Sequence, residues 1–164
     1  MIHTVGDVDW ERWEPTIRAT LLFVISDGEV LLIHKKRGIG AGKINGPGGK
    51  IDPGESALDA AVREVQEELH ITATGVVAAG ELCFQFVDGT ALHCEVFTAS
   101  GYDGEPTETD EAIPLWFPID ALPYDEMWED DRLWFPHLFA GRWFEGRCVF
   151  DDDEHLLHAV ITTA

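Results

Sequence analysis

The sequence predicts an α/β protein of the α+β kind, a mixed β-sheet with helices packed on it. Three observations lead there. Strand-sized apolar runs occur in both halves of the chain, one stretch carries a strong helical period, and strands fall on both sides of that helix.

Residues 17–25 read as a strand, Ser26-Asp27-Gly28-Glu29 as a turn, and Val30–His34 as a second strand, together a hairpin. Gly38–Gly54 follows, with seven glycines and two prolines among seventeen residues. That composition argues against regular structure and marks a functional loop. Ser56–Leu69 is the patterned helix, with Ser56 as its cap and Asp59 three residues on. At about 100° per residue, Leu58, Ala61, Val62, Val65 and Leu69 share a core-facing stripe. Further strands are expected at 81–87, 92–99, 115–118, 143–150 and 155–162, with a short helix near 129–140.

The chain of 164 residues suits one domain, and 45% hydrophobic against 26% charged residues is a globular balance rather than a disordered one. No apolar run approaches the roughly 18 residues of a membrane helix. Met1–Arg12 is polar and acidic, without the basic and apolar regions of an export signal, so a cytoplasmic protein is expected. Cys83, Cys94 and Cys148 are widely spaced, form no metal-binding set, and read as small core fillers. A net charge of −20 argues against binding polymeric nucleic acid. Seven of the eleven basic residues nevertheless lie at or before position 50, a local surface for a compact anion.

Glu64, Glu67 and Glu68 stand at i, i+3 and i+4, on the side of the helix opposite the apolar stripe. Three carboxylates so placed repel one another. Arg63 offsets part of this by pairing with Glu67 at i+4. Such a cluster suits a hard cation with oxygen ligands, although a solvated acidic face reads the same in isolation. Immediately upstream, Gly46-Pro47-Gly48-Gly49-Lys50 allows close backbone approach to a ligand.

Written out, the stretch is Gly49, five residues, Glu55, seven residues, Arg63-Glu64-Val65, one residue, Glu67-Glu68, one residue, His70-Ile71. This resembles the Nudix box. One position departs: His70 stands where the family has glycine, at the helix exit. Glycine there allows a left-handed cap that histidine adopts at some cost, so a local adjustment of the exit is expected. Similarity runs from about Thr20 to the C-terminus, through Lys35–Lys43, Asn45-Gly46, Met127–Asp131 and Trp134-Phe135-Pro136. It is to the MutT-like branch of the family that acts on oxidised purine nucleoside triphosphates. Residues 1–16 are then an N-terminal extension, and 17–164 a single domain.

The resemblance implies an α/β/α sandwich and Mg²⁺-dependent hydrolysis, with Mn²⁺ as substitute, to a nucleoside monophosphate and pyrophosphate. It implies metal ligands at Gly48, Glu64, Glu67, Glu68 and Glu111, with Glu67 or Glu68 as the base. It places Thr20, Lys35, Asn45, Phe84, Trp128, Asp130 and Asp131 at a base pocket, and Gly48, Gly49 and Lys50 on the phosphate side. Physical chemistry supports several of these roles. Trp128 stacks on a purine, Asn45 offers a donor and an acceptor, and adjacent buried carboxyls at Asp130 and Asp131 do not both ionise. Ile39 and Pro47 stand where that branch has phenylalanine, which loosens the expected pocket. The expected partner is a small nucleotide, with no membrane, and the protein a monomer. A Nudix enzyme for another nucleotide-linked diphosphate, or a catalytically silent nucleotide sensor, are the alternatives. Trp10, Trp13 and Trp143 are assigned to core packing.

Overall fold

The computed structural model describes the whole chain, Met1–Ala164. The order is β1 (Ile17–Ser26), β2 (Glu29–Lys35), β3 (Ile44–Asn45), β4 (Gly48–Lys50), α1 (Ala57–Leu69), β5 (Thr72–Phe86), β6 (Ala91–Asp103), β7 (Ala112–Pro118), α2 (Asp131–Phe139), β8 (Phe144–Phe150) and β9 (Leu156–Thr163). The predicted hairpin is present. Its turn places Asp27 and Gly28 at φ 53° and 75°, the primed geometry that matches strand twist.

The strands run in the order β3-β2-β1-β6-β5-β8-β9, with β4 along β1 and β7 along β2. The β1–β6 and β5–β8 pairs are parallel and the rest antiparallel, so the sheet is mixed. Both faces of β1 and β2 are buried. Leu22, Val24, Leu31 and Ile33 point to a core completed by Ala61, Val65 and Leu69 of α1. Phe23, Val30 and Leu32 point the other way, to Trp134, Phe135 and Leu138 of α2. The sheet thus lies between the two helices, the expected sandwich. No helix is long and apolar enough to cross a membrane.

Three expectations are corrected. The glycine-rich segment is not wholly irregular: β3 and β4 lie within it, and β4 pairs with Ala19–Leu21 of β1. Backbone pairing to a neighbouring strand overrides the poor strand propensity of glycine there. The strands expected at 81–87 and 92–99 belong to a longer ribbon, since β5 begins at Thr72 and β6 continues to Asp103. The added arm is rich in alanine and glycine and is held by cross-strand pairing, which no local pattern announces. The buried face of α1 is also rotated from the predicted stripe. Leu58 is 44% exposed, Ala60 is fully buried, and Glu68 is 2% exposed on the inner side rather than facing solvent.

Ser56 Oγ caps α1 by accepting the Asp59 N–H at 3.1 Å, and α1 ends at His70 in the left-handed conformation, φ 61° and ψ 32°. Substituting His70→Gly should stabilise the protein by about 0.5–1 kcal/mol, the relief of left-handed strain less the entropy that glycine loses on folding. The midpoint of urea unfolding measures this.

Candidate active site

Helix α1 carries the carboxylates, and Arg63 organises them. Its guanidinium grips Glu55 with two bonds of 2.8 Å, and also reaches Glu64 at 3.0 Å and Glu67 at 3.3 Å. A further bond of 3.1 Å goes to the carbonyl of Lys50. The sequence pointed only to the Glu67 contact. The Arg63 fork holds Glu55 well below the usual carboxylate range, at about 2, and ties the loop before the helix to its second turn.

The Gly48–Gly49 backbone threads between β1 and α1. A side chain on Gly48 would strike the Thr20 carbonyl, and one on Gly49 would strike the Glu64 carboxylate. At Gly48, where the obstacle is backbone, only glycine permits this approach. The Gly48 N–H donates to Glu68 Oε1 at 2.8 Å. Burial pushes the Glu68 carboxyl up to about 8, aided by the charges of Glu64 and Glu111 and opposed by the Gly48 N–H and by Lys35.

One cavity of about 340 Å³ opens beside this strap. Thr20, Lys35, Asn45, Gly48, Gly49, Lys50, Phe84, Trp128, Asp130 and Asp131 all line it, so the structure brings the whole sequence-derived set of ten together. Glu68 lines it too, whereas Glu64, Glu67 and Glu111 stand behind or beside it. At the far end, Asp130 and Asp131 are both buried where α2 begins. Burial raises both carboxyls. The Trp134 indole N–H, 2.8 Å from Asp130 Oδ2, favours charge on Asp130, and that charge drives Asp131 further up. Burial and the neighbouring Asp130 charge thus favour the protonated, donating form of Asp131, while the indole favours the accepting form of Asp130.

Trp128 forms a side of the cavity against Phe86 and Phe150, with ring centroids 6.1 and 5.3 Å away. Asn45 is less free than its chemistry promised. Its Oδ1 accepts the Trp128 indole N–H at 2.9 Å, and its Nδ2 donates to the carbonyls of Gly40 and Lys43. It is a strut that fixes the indole. Thr20 Oγ1 is buried without a hydrogen-bond partner, a polar atom that a ligand in the cavity would satisfy. Ile39 lines the mouth and is 46% exposed, while Pro47 is buried away from the cavity, which corrects its expected place on the wall.

The expected metal ligands are not gathered into a ready cage; no three His, Cys, Asp or Glu side chains are so arranged. Each expected carboxylate instead has an internal partner: Arg63 for Glu64 and Glu67, Gly48 for Glu68, and Arg37 at 3.1 Å for Glu111. Their chemistry nevertheless fits a divalent cation. Burial raises the Glu64 and Glu68 carboxyls, the charge of Glu111 adds to both, and Glu68 has a backbone amide as its one hydrogen-bond donor. A hard cation with oxygen ligands is what such a set lacks.

The NUDIX domain model matches residues 15–138. The chain belongs to the Nudix family. It is 46% identical over 132 residues to the oxidized purine nucleoside triphosphate hydrolase of Danio rerio, covering 80% of this chain and 85% of that one. Identity to the enzyme of the same name from Mus musculus is 40%, covering 84% and 89% of the two chains. Among solved structures, the MutT protein of Bacillus halodurans superposes with a TM-score of 0.80 at 28% identity, over 88% of this chain and 97% of that one. Nudix hydrolases generally use divalent metal ions, and the carboxylates on α1 are those of the Nudix box.

Sequence reasoning missed Phe23, Phe86, Phe150 and Trp134 of the Nudix cavity. Phe86 had a signal, since it follows Phe84 by two residues on one strand and so shares its face. Phe150 had none; only the parallel pairing of β8 with β5 brings it there.

The raised Asp131 carboxyl has a consequence for stability. A carboxyl whose folded-state value is raised favours the fold while protonated, and loses that favour as pH rises above the unfolded value. Asp131→Asn should therefore raise the urea midpoint of the Nudix domain at pH 7.5 and make little difference near pH 4. Urea unfolding at the two pH values gives the comparison.

Proposed function

We propose that this Nudix protein hydrolyses oxidised purine nucleoside triphosphates to the nucleoside monophosphate and pyrophosphate, clearing damaged precursors from the nucleotide pool. The observation that carries the reading is that one cavity extends from Trp128, Asp130 and Asp131 to Gly48–Lys50 and Glu68. A base and the polyphosphate of the same nucleotide thereby share one space. The named activity of the Danio rerio and Mus musculus relatives supports it.

At the base end, the purine stacks on Trp128, while protonated Asp131 donates and ionised Asp130 accepts along its edge. At the phosphate end, Lys35 and Lys50 attract the anionic oxygens, and the Gly48–Gly49 backbone admits them closely. Glu64, Glu67, Glu68, Glu111 and the Gly48 carbonyl are the groups that would hold Mg²⁺, with Mn²⁺ able to substitute. The chemistry a divalent cation supplies when bound is neutralisation of phosphate charge and acidification of a water ligand. Glu68 orients or deprotonates the attacking water, because it faces the cavity; Glu67, half-exposed on the next helix position, is the alternative. The protein acts as a monomer on a small soluble substrate.

With 8-oxo-dGTP, 2-hydroxy-dATP, dGTP and ADP-ribose compared by kcat/KM, an oxidised purine triphosphate should rank first. A preference for ADP-ribose would remove the base-pocket reading. At saturating Mg²⁺, Glu68→Gln should lower kcat by about 100-fold or more, and more than Glu67→Gln does. Near-normal turnover in Glu64→Gln, Glu67→Gln and Glu68→Gln alike would refute the site. Chelation should abolish activity, with Mg²⁺ or Mn²⁺ restoring it.

A further inference from the structure

The residues ahead of the Nudix match, which begins at residue 15, pack against the sheet. Val5 is buried, and its N–H donates to His158 Nδ1 of β9 at 2.9 Å. The Trp10 indole donates to the Val5 carbonyl at 2.8 Å, packs 5.3 Å from Trp13, and carries the Arg147 guanidinium over its ring at 5.1 Å. The Trp13 indole N–H donates to Gln85 Oε1 at 2.8 Å. Thr16 closes the segment onto β6: its N–H and hydroxyl both donate to the Ala91 carbonyl, and its Oγ1 accepts the Ala91 N–H.

Gln85 is the hinge of this arrangement. It lies in β5 between Phe84 and Phe86, and strand alternation turns it to the opposite face from both rings. Those rings line the cavity, together with Ile17 and Leu92 beside the Thr16–Ala91 closure. Gln85 is 9% exposed, and its amide also donates to the Phe86 carbonyl at 2.8 Å. Without the Trp13 N–H, Gln85 Oε1 would be a nearly buried acceptor with no donor, and the side chain would have to turn to find one. The turn would break its bond to the Phe86 backbone. Phe86 would then shift against Phe150, 5.4 Å away, and against Trp128.

We propose that the Val5–Thr16 segment braces the base-binding wall from behind, with Trp13 as a positioning residue that acts through Gln85 on Phe84 and Phe86. The inference rests on the base-pocket reading given under Proposed function. It concerns residues on the face of the sheet opposite the ligand, so Trp13 touches no substrate.

The test uses full-length Trp13→Phe, Gln85→Met and the double variant, assayed with 8-oxo-dGTP at saturating Mg²⁺. Hydrogen exchange is followed in the peptide spanning residues 84–92. Each single variant should raise KM about 3- to 10-fold, the effect of one lost buried hydrogen bond, with kcat changed less than about 2-fold. The double variant should go no further than the singles, and exchange should quicken in residues 84–92 but not across the sheet. Trp143→Phe, whose indole bonds Glu145 away from the cavity, should leave KM unchanged. Unmoved KM in the folded variants, additive effects in the double variant, or a uniform rise in exchange would each overturn the brace. If the wild-type chain fails to hydrolyse 8-oxo-dGTP while hydrolysing another nucleotide, the base-pocket reading fails separately. Exchange in residues 84–92 then decides the brace alone, local quickening supporting it and unchanged protection refuting it.

Discussion

Two glycines set the geometry of this site. Gly48 lies so close to the Thr20 carbonyl of β1 that no side chain fits, and Gly49 lies against the Glu64 carboxylate of α1, which any side chain there would displace. This contact joins the helix that bears the carboxylates to the strand that begins the cavity. It also rotates α1, since Glu68 is drawn inward to meet the Gly48 N–H instead of facing water. The strap, Glu68 and the base-end residues Trp128, Asp130 and Asp131 all line one cavity.

Burial is costly for the charges on both sides of that strap, and the fold meets the cost differently at each end. On α1, Arg63 balances Glu55, Glu64 and Glu67, yet Glu68 is left with one backbone donor and pushed up to about 8. At the start of α2, the two aspartates divide the problem: Trp134 favours the charge on Asp130, and burial beside that charge pushes the Asp131 carboxyl up. Neither arrangement is one a stability-optimised core would choose, because ionisable groups are excluded from cores unless paired. Their persistence beside a shared cavity is what marks function.

The aromatic side of the cavity depends on layers behind it. Phe86, Phe150 and Trp128 meet edge and face in front. Gln85 and the N-terminal tryptophans fill the reverse of the same sheet. Trp10, Trp13 and Trp143 are only partly buried and belong to neither core cluster, which corrects their assignment to core packing.

Local chemistry was legible from the chain itself. The turn at Asp27-Gly28, the Ser56 cap, the altered helix exit at His70 and the box spacing from Gly49 to Glu68 each involve residues near in sequence, where steric and hydrogen-bonding rules act directly. The resemblance then named ten residues that do line a single cavity. What the chain did not disclose were the inward turn of Glu68, the β5–β6 arm from Thr72, the engagement of Asn45 by Trp128, and the arrival of Phe150 and Trp13. Each depends on groups distant in sequence: Gly48 and Glu68 are 20 positions apart, Trp13 and Gln85 are 72, and Asn45 and Trp128 are 83. Periodicity says which face of an element is apolar, but the partner across that face, and the rotation that the partner imposes, exist only once the sheet has closed.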